Sequence, residues 1–290
     1  MRELGETRRH LRDCIDFAAN TGVVRQVAVL ALALVLALPL VLLVLKTTPA
    51  HAQDAALRLP DLRMAHPQHM VIREGPEGGR ILRFTGIIVN VGAGAFELHG
   101  QRPNTTTATM SVTQRIYNNA GGYQDVPTSA TMFYSGDGHD HWHVADLVRY
   151  KLRRLGGSGK VHEGAKQGFC FFDYYIWNGT LPRAPENKHY SRGGTCGESE
   201  GEEALQVEMG LSVGWSDVYE YYLPGQWVDI TGLPSGRYRL AAVVDERNLF
   251  RESRGDNNYT WLNIELKGMK VKVLQYGPSA PYCGRTGQSC

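Results

Sequence analysis

The chain has 290 residues, and its 31 Lys and Arg against 29 Asp and Glu leave a formal charge of +2. A balance this even, with no basic run interleaved with aromatics, argues against a nucleic-acid partner. The first fifth differs in composition from the rest, and the remainder of the chain is long enough for one domain with a substantial core.

Residues 27–45 are apolar apart from one Pro, close to the ~20 residues that span a bilayer. Arg2, Arg8, Arg9, Arg12 and Arg25 precede this run and favour a cytoplasmic N-terminus. Ala50-His51-Ala52 beyond it has the Ala-x-Ala form of a signal-peptidase site. The expected organisation is a cytoplasmic segment over 1–26, a signal peptide or membrane anchor over 27–52 with cleavage after Ala52, and a domain over 53–290 outside the cytoplasm, secreted or membrane-anchored. Of five cysteines, Cys14 precedes the apolar run. Cys170, Cys196, Cys283 and Cys290 come after it, where disulfides persist. Four cysteines allow three connectivities. Cys170–Cys196 and Cys283–Cys290 are favoured, because each closes a Gly-containing local loop.

Past the leader, β-rich segments fall at 81–91, 95–98 and 107–117, the first ending in the turn Gly92-Ala93-Gly94 and the third running into the turn cluster Asn118-Asn119-Ala120-Gly121-Gly122. Next comes His139-Asp140-His141-Trp142-His143. In a strand alternate side chains share a face, so three imidazoles can converge while Asp140 and Trp142 turn away. Such a set suits copper, zinc or iron, and spacing alone does not choose among them. Residues 144–152 can continue this strand into the core. Residues 167–225 are less regular, mixing aromatics, Gly and Pro with the acidic patch Glu198, Glu200, Glu202 and Glu203, which reads as a solvated loop; a stretch this long in a compact domain is usually functional. Strands return at 227–230, 237–244 and 258–266. The fold class expected is all-β: a β-sandwich with a long loop-rich insertion, preceded by an N-terminal transmembrane or signal helix.

Several segments together resemble the lysyl oxidase family. The His-x-His-aromatic-His run is similar to its copper motif. Glu163-Gly164-Ala165-Lys166 with Phe169-Cys170 is similar to the segment carrying its cofactor lysine. Gly210-Leu211-Ser212, Gly214, Asp217 and Tyr219, with Gln226-Trp227 and Asp229-Ile230-Thr231 further on, resemble the segment carrying its cofactor tyrosine. Asp256-Asn257-Asn258 resembles a closing element of the family. The resemblance runs from about residue 61 to 266.

It implies copper bound by His139, His141 and His143, and a lysyl tyrosylquinone made from Lys166 and Tyr219. The implied reaction is oxidative deamination of a primary amine, with a lysine-containing protein as one candidate substrate. Molecular oxygen is consumed, and an aldehyde, ammonia and hydrogen peroxide are released. Only a neutral amine is a nucleophile, so Lys166 needs a partly buried place; Phe169, Phe171 and Phe172 are candidates to supply it. Asp217 and Asp146 are candidate bases. One departure stands out: where animal members carry a further histidine after the copper motif, this chain has Arg149 next to Tyr150. Two other readings of the same residues are a non-enzymatic extracytoplasmic copper-binding protein and a zinc hydrolase.

Overall fold

The computed structural model describes residues 56–290, apart from 137, 139, 158 and 290. The expected cytoplasmic segment, apolar leader and cleavage signal lie outside the described residues. Among the described residues no helix is long and apolar enough to cross a membrane.

The domain is all-β. Strands β1 (Leu62–Met64) and β2 (Gln68–Glu74) lead into the long β3 (Arg80–Asn90). Then β4 (Phe96–Gln101), β5 (Thr109–Tyr117), β6 (Tyr123–Ser135) and β7 (His141–Ala145) run back and forth as a meander. β8 (Val148–Arg154) is succeeded by the short pieces β9 (His162–Glu163), β10 (Gly168–Phe169) and β11 (Tyr175–Ile176). β12 (Gln206–Leu211), β13 (Trp215–Tyr219) and β14 (Trp227–Asp229) precede the closing meander β15 (Gly236–Val244), β16 (Tyr259–Lys267) and β17 (Lys270–Tyr276).

These strands pair into three sheets, where the sequence suggested the two of a sandwich. The first is ordered β1-β3-β13-β11, with β2 and β14 also on β3; the second is β10-β7-β6-β5-β4-β12; the third is β17-β16-β15-β8-β9. β3 serves four partners because it is long. Its first half pairs β2 and β14, and its second half pairs β1 and β13. Its apolar run has a matching cause. Leu82, Phe84 and Ile88 face a main core that also takes Trp142 and Val144 from the second sheet and Leu240 and Leu262 from the third. Ile87 and Val89 face a smaller cluster with Trp177 and Val218. A strand buried on both faces reads as continuous rather than alternating hydrophobicity.

Two expectations need correction. The strand begun by the histidines does not continue through residue 152. Asp146 takes a left-handed backbone, φ 58°, a conformation Asp tolerates better than most residues. The chain turns there, leaves the second sheet after β7 and enters the third as β8. The stretch 167–225 is also more than an insertion. It supplies β12 to the edge of the second sheet and β13 to the interior of the first. β13 shows no alternation because all five of its residues are buried, Ser216 and Asp217 included.

Candidate metal and cofactor site

His141 and His143 stand two residues apart on β7, so both rings leave the same face. Trp142, fully buried between them, faces the core. Its indole N–H donates to the Gly201 carbonyl at 2.9 Å, and the Arg102 guanidinium lies over its ring at 4.6 Å. The two Nε2 atoms of His141 and His143 are 2.9 Å apart. A metal held by imidazoles at ~2.0–2.1 Å separates adjacent ligand atoms by roughly 2.8–3.4 Å, so the pair fits two neighbouring positions of one coordination sphere. His139 lies outside the described residues.

β10 packs directly on β7, with Phe169 opposite Val144. The approach requires a glycine at 168. A Cβ there would stand 2.5 Å from Phe133 Cζ and 2.7 Å from His143 Cβ. Two residues earlier, Lys166 occupies a loop pinned on both sides. The Ala165 N–H donates to the Trp227 carbonyl at 2.9 Å, and the Asp146 N–H donates to the Gln167 carbonyl at 3.0 Å. Gly225, at φ 71°, lies so close that a Cβ on it would be 3.2 Å from Lys166 Cα. So constrained, the lysine turns inward and is 7% exposed. Its Nζ lies 5.0 Å from the centre of the Tyr219 ring and 5.6 Å from that of Phe169.

Tyr219 and Asp217 are alternate residues of β13 and share a face. The Tyr219 hydroxyl donates to the Cys170 carbonyl, and its ring meets Phe169 edge-on at 4.9 Å. Burial, and then the nearby Asp217, hold the Tyr219 phenol well above its ordinary range. Burial also pushes the Asp217 carboxyl well above the usual carboxylate range, against the opposing pull of the Val218 and Phe172 N–H groups and of Lys166. Its Oδ2 has no hydrogen-bond partner among the described residues. Asp146, the other candidate base, is paired with Arg149 at 3.1 Å and Arg247 at 2.8 Å.

One cavity of about 140 Å³ joins the two halves of the site: His141, His143, Asp217 and Tyr219 all line it, and Tyr174 and Tyr222 are at its edge. Lys166 is not on that wall. It borders a smaller crevice shared with Asp146, Arg149 and Tyr150, and meets the Tyr219 ring from there. A disulfide between Cys170 and Cys196 ties the halves together. The Cys170 carbonyl takes the Tyr219 hydroxyl, while the Cys196 carbonyl accepts the N–H of Trp142 at 2.9 Å, between the two histidines. Cys283 is oxidised as well, and its expected partner Cys290 lies outside the described residues.

Of the three phenylalanines expected around Lys166, Phe169 is there. Phe172 lines the cavity instead, and Phe171 stacks on Phe96 at 4.9 Å. Gly168 and Gly225 were not anticipated, because a glycine's task of yielding space shows only when its neighbour in space is known. A second group able to hold a metal is Glu97, His99 and Glu208, whose ligand atoms lie within 4.8 Å of one another. Glu97 is already engaged: Tyr117 donates to it at 2.9 Å, Tyr190 also donates, and His99 Nε2 lies at 2.7 Å. Burial raises its carboxyl, and these bonds outweigh the burial and leave it below the ordinary value. It acts as a buried anchor between strands.

An all-β domain that brings a histidine pair and a tyrosine to one cavity, with a buried lysine over the tyrosine ring, places the chain in a recognisable class. The family model for lysyl oxidase matches residues 95–276, well over half of the sequence, and the chain belongs to the lysyl oxidase family. It is similar to lysyl oxidase homolog 2 of Gallus gallus, 32% identical over 136 residues, which are 47% of this chain and 15% of that protein. It is likewise similar to lysyl oxidase homolog 1 of Homo sapiens, 31% identical over 136 residues, 47% of this chain and 21% of the relative. The match thus spans about a fifth or less of the length of these relatives.

Proposed function

We propose that the protein is an extracytoplasmic, copper-dependent amine oxidase that converts primary amines, with peptidyl lysine as one candidate, to aldehydes, using a lysyl tyrosylquinone built from its own Lys166 and Tyr219. The observation that carries this reading is the Lys166 Nζ 5.0 Å from the Tyr219 ring centre. Both side chains are buried, and the Tyr219 ring shares its cavity with His141 and His143. The disulfide fits an oxidising compartment.

The donor set suits copper: neutral imidazoles are good ligands for it, and His141 and His143, joined in this reading by His139, would hold it at the cavity wall. Once in place, copper and the quinone supply the oxygen chemistry and the electron sink. The chain's own residues do the rest. The pinned loop keeps Lys166 directed at Tyr219, so joining them needs no search through lysine rotamers. The ring of Phe169, which meets both side chains, helps to exclude water from the pair. Asp217, whose carboxyl burial makes basic enough to hold a proton, accepts the proton from the carbon bearing the substrate amine and later returns one to solvent.

Peptide mapping of full-length, copper-loaded protein tests the reading. A cross-linked Lys166–Tyr219 peptide is expected, together with amine-dependent peroxide production that carbonyl reagents block. Copper-loaded protein with separate Lys166 and Tyr219 peptides and no turnover of any amine would instead favour a metal-binding protein without catalysis.

A further inference from the structure

Beside Tyr219 lie two buried polar side chains that the proposed mechanism does not use, Tyr150 and Gln226. Tyr219 stands opposite Gly86 in the ladder between β13 and β3. Residues so paired send their side chains to the same face, about 4.5–5.5 Å apart. Gly86 has no side chain. A Cβ there would collide with Tyr150 Oη and lie 3.1 Å from Gln226 Nε2. The Tyr150 phenol and the Gln226 amide therefore fill the place next to Tyr219 that a side chain at 86 would take.

Both groups are sealed from solvent, Tyr150 at 2% exposure and Gln226 at 0%. Among the described residues, Tyr150 Oη, Gln226 Nε2, Gln226 Oε1 and Asp217 Oδ2 all lack a well-formed hydrogen bond. A buried polar group left unpaired costs stability, and native chains keep few of them. Tyr150 and Gln226 lie within reach of one another in a geometry short of a full hydrogen bond, so between them they keep donors for an acceptor at this place. Tyrosine offers a single oxygen there, and its hydroxyl proton goes to the Cys170 carbonyl. A quinone ring made from Tyr219 is different. It has no hydroxyl proton to give, its oxygens only accept, and it has one oxygen more than tyrosine. The unspent donors beside it are the Tyr150 hydroxyl and the Gln226 Nε2.

We propose that Tyr150 and Gln226 are positioning residues that donate to the oxygens of the modified Tyr219 ring, so that this pocket is complementary to the quinone rather than to the tyrosine from which it forms. The inference rests on the proposed function and goes beyond it by assigning two residues.

The test uses full-length, copper-loaded protein and the variants Tyr150→Phe and Gln226→Met, each near in volume to the parent residue. Three readouts are taken: the mass-mapped fraction of cross-linked Lys166–Tyr219 peptide, the visible absorption band before and after phenylhydrazine, and kcat separately from KM for a primary amine. Expected are a displaced visible band and a kcat lower by about tenfold or more, the loss of one useful hydrogen bond, with KM changed far less. Should Tyr150→Phe fail to fold, Gln226→Met carries the same expectation. Variants that keep the parent's band and kcat overturn the inference while leaving the proposed function standing. A parent protein without the cross-link overturns both.

Discussion

Asp217 is a buried carboxyl beside Tyr219, and both its stability and its proposed role can be tested on one side chain. It is 1% exposed, and burial raises its carboxyl well above the usual range. A carboxyl raised by folding stabilises the native state fully below its unfolded value of about 3.9, and that contribution is lost as pH climbs toward the higher folded value. Asp217→Asn removes the titration, so its melting temperature should vary less with pH than the parent's above about pH 4, and at pH 7 should equal or exceed it. If Asp217 is the base, turnover should fall by about 10²–10⁴ in the same variant. Melting curves at pH 5 and 8 beside steady-state kinetics check both halves; a variant that keeps parental turnover removes Asp217 from the chemistry. For the imidazoles the expectation is simpler. His143→Ala, at a 2% exposed position, should lower copper affinity by more than the ~10–100-fold lost when only a supporting partner of a ligand is removed, as competition with a chelator would measure.

At the scale of elements, the site depends on β10 lying flat against β7, and Gly168 permits it. Gly168→Val would drive its side chain into Phe133 and His143, where even a Cβ stands at 2.5 and 2.7 Å. Overpacking of this kind costs about 1–3 kcal/mol, so a melting temperature lower by roughly 2–12 °C is expected, along with weaker copper binding because His143 is displaced. An unchanged chelator competition curve would show that β10 does not set the histidine geometry. What could be read from the sequence divides along the same line. Period-two spacing of His139, His141 and His143 predicted a shared face with Trp142 turned away, which β7 shows for His141 and His143, and the β-rich segments at 81–91, 107–117 and 237–244 correspond to β3, β5 and β15. β12 and β13 were not legible. Their register is imposed by neighbours far away in the chain, and a strand carrying buried Ser216, Asp217 and Tyr219 has no alternation to display. Lys166 and Tyr219 drew notice only through family resemblance, because nothing in local composition tells a buried lysine from a solvated one.

Across the whole molecule, the two halves of the site come from different sheets. His141 and His143 belong to the second, Tyr219 to the first, and the loop with Lys166 connects the third to the second. Their common geometry therefore depends on what fastens the sheets near the cavity. The Cys170–Cys196 disulfide closes a sequence separation of 26 residues, and its two carbonyls receive the Tyr219 hydroxyl and the Trp142 N–H. A loop of that size contributes about 3.5 kcal/mol by restricting the unfolded chain, equivalent to roughly 7–14 °C in melting temperature for a domain this large. The double variant Cys170→Ser with Cys196→Ser should lose that much. It should also separate two properties that any globally destabilised variant would lose together. Copper should still bind below the melting transition, since His141 and His143 are held within β7. The Lys166–Tyr219 cross-link should form poorly, because Tyr219 and the histidine strand no longer share a fixed frame. Copper stoichiometry by metal analysis and cross-link yield by peptide mapping, both well below the transition, distinguish the cases. Full cross-link yield in the double variant would show that sheet packing alone aligns the halves and that the disulfide contributes stability only.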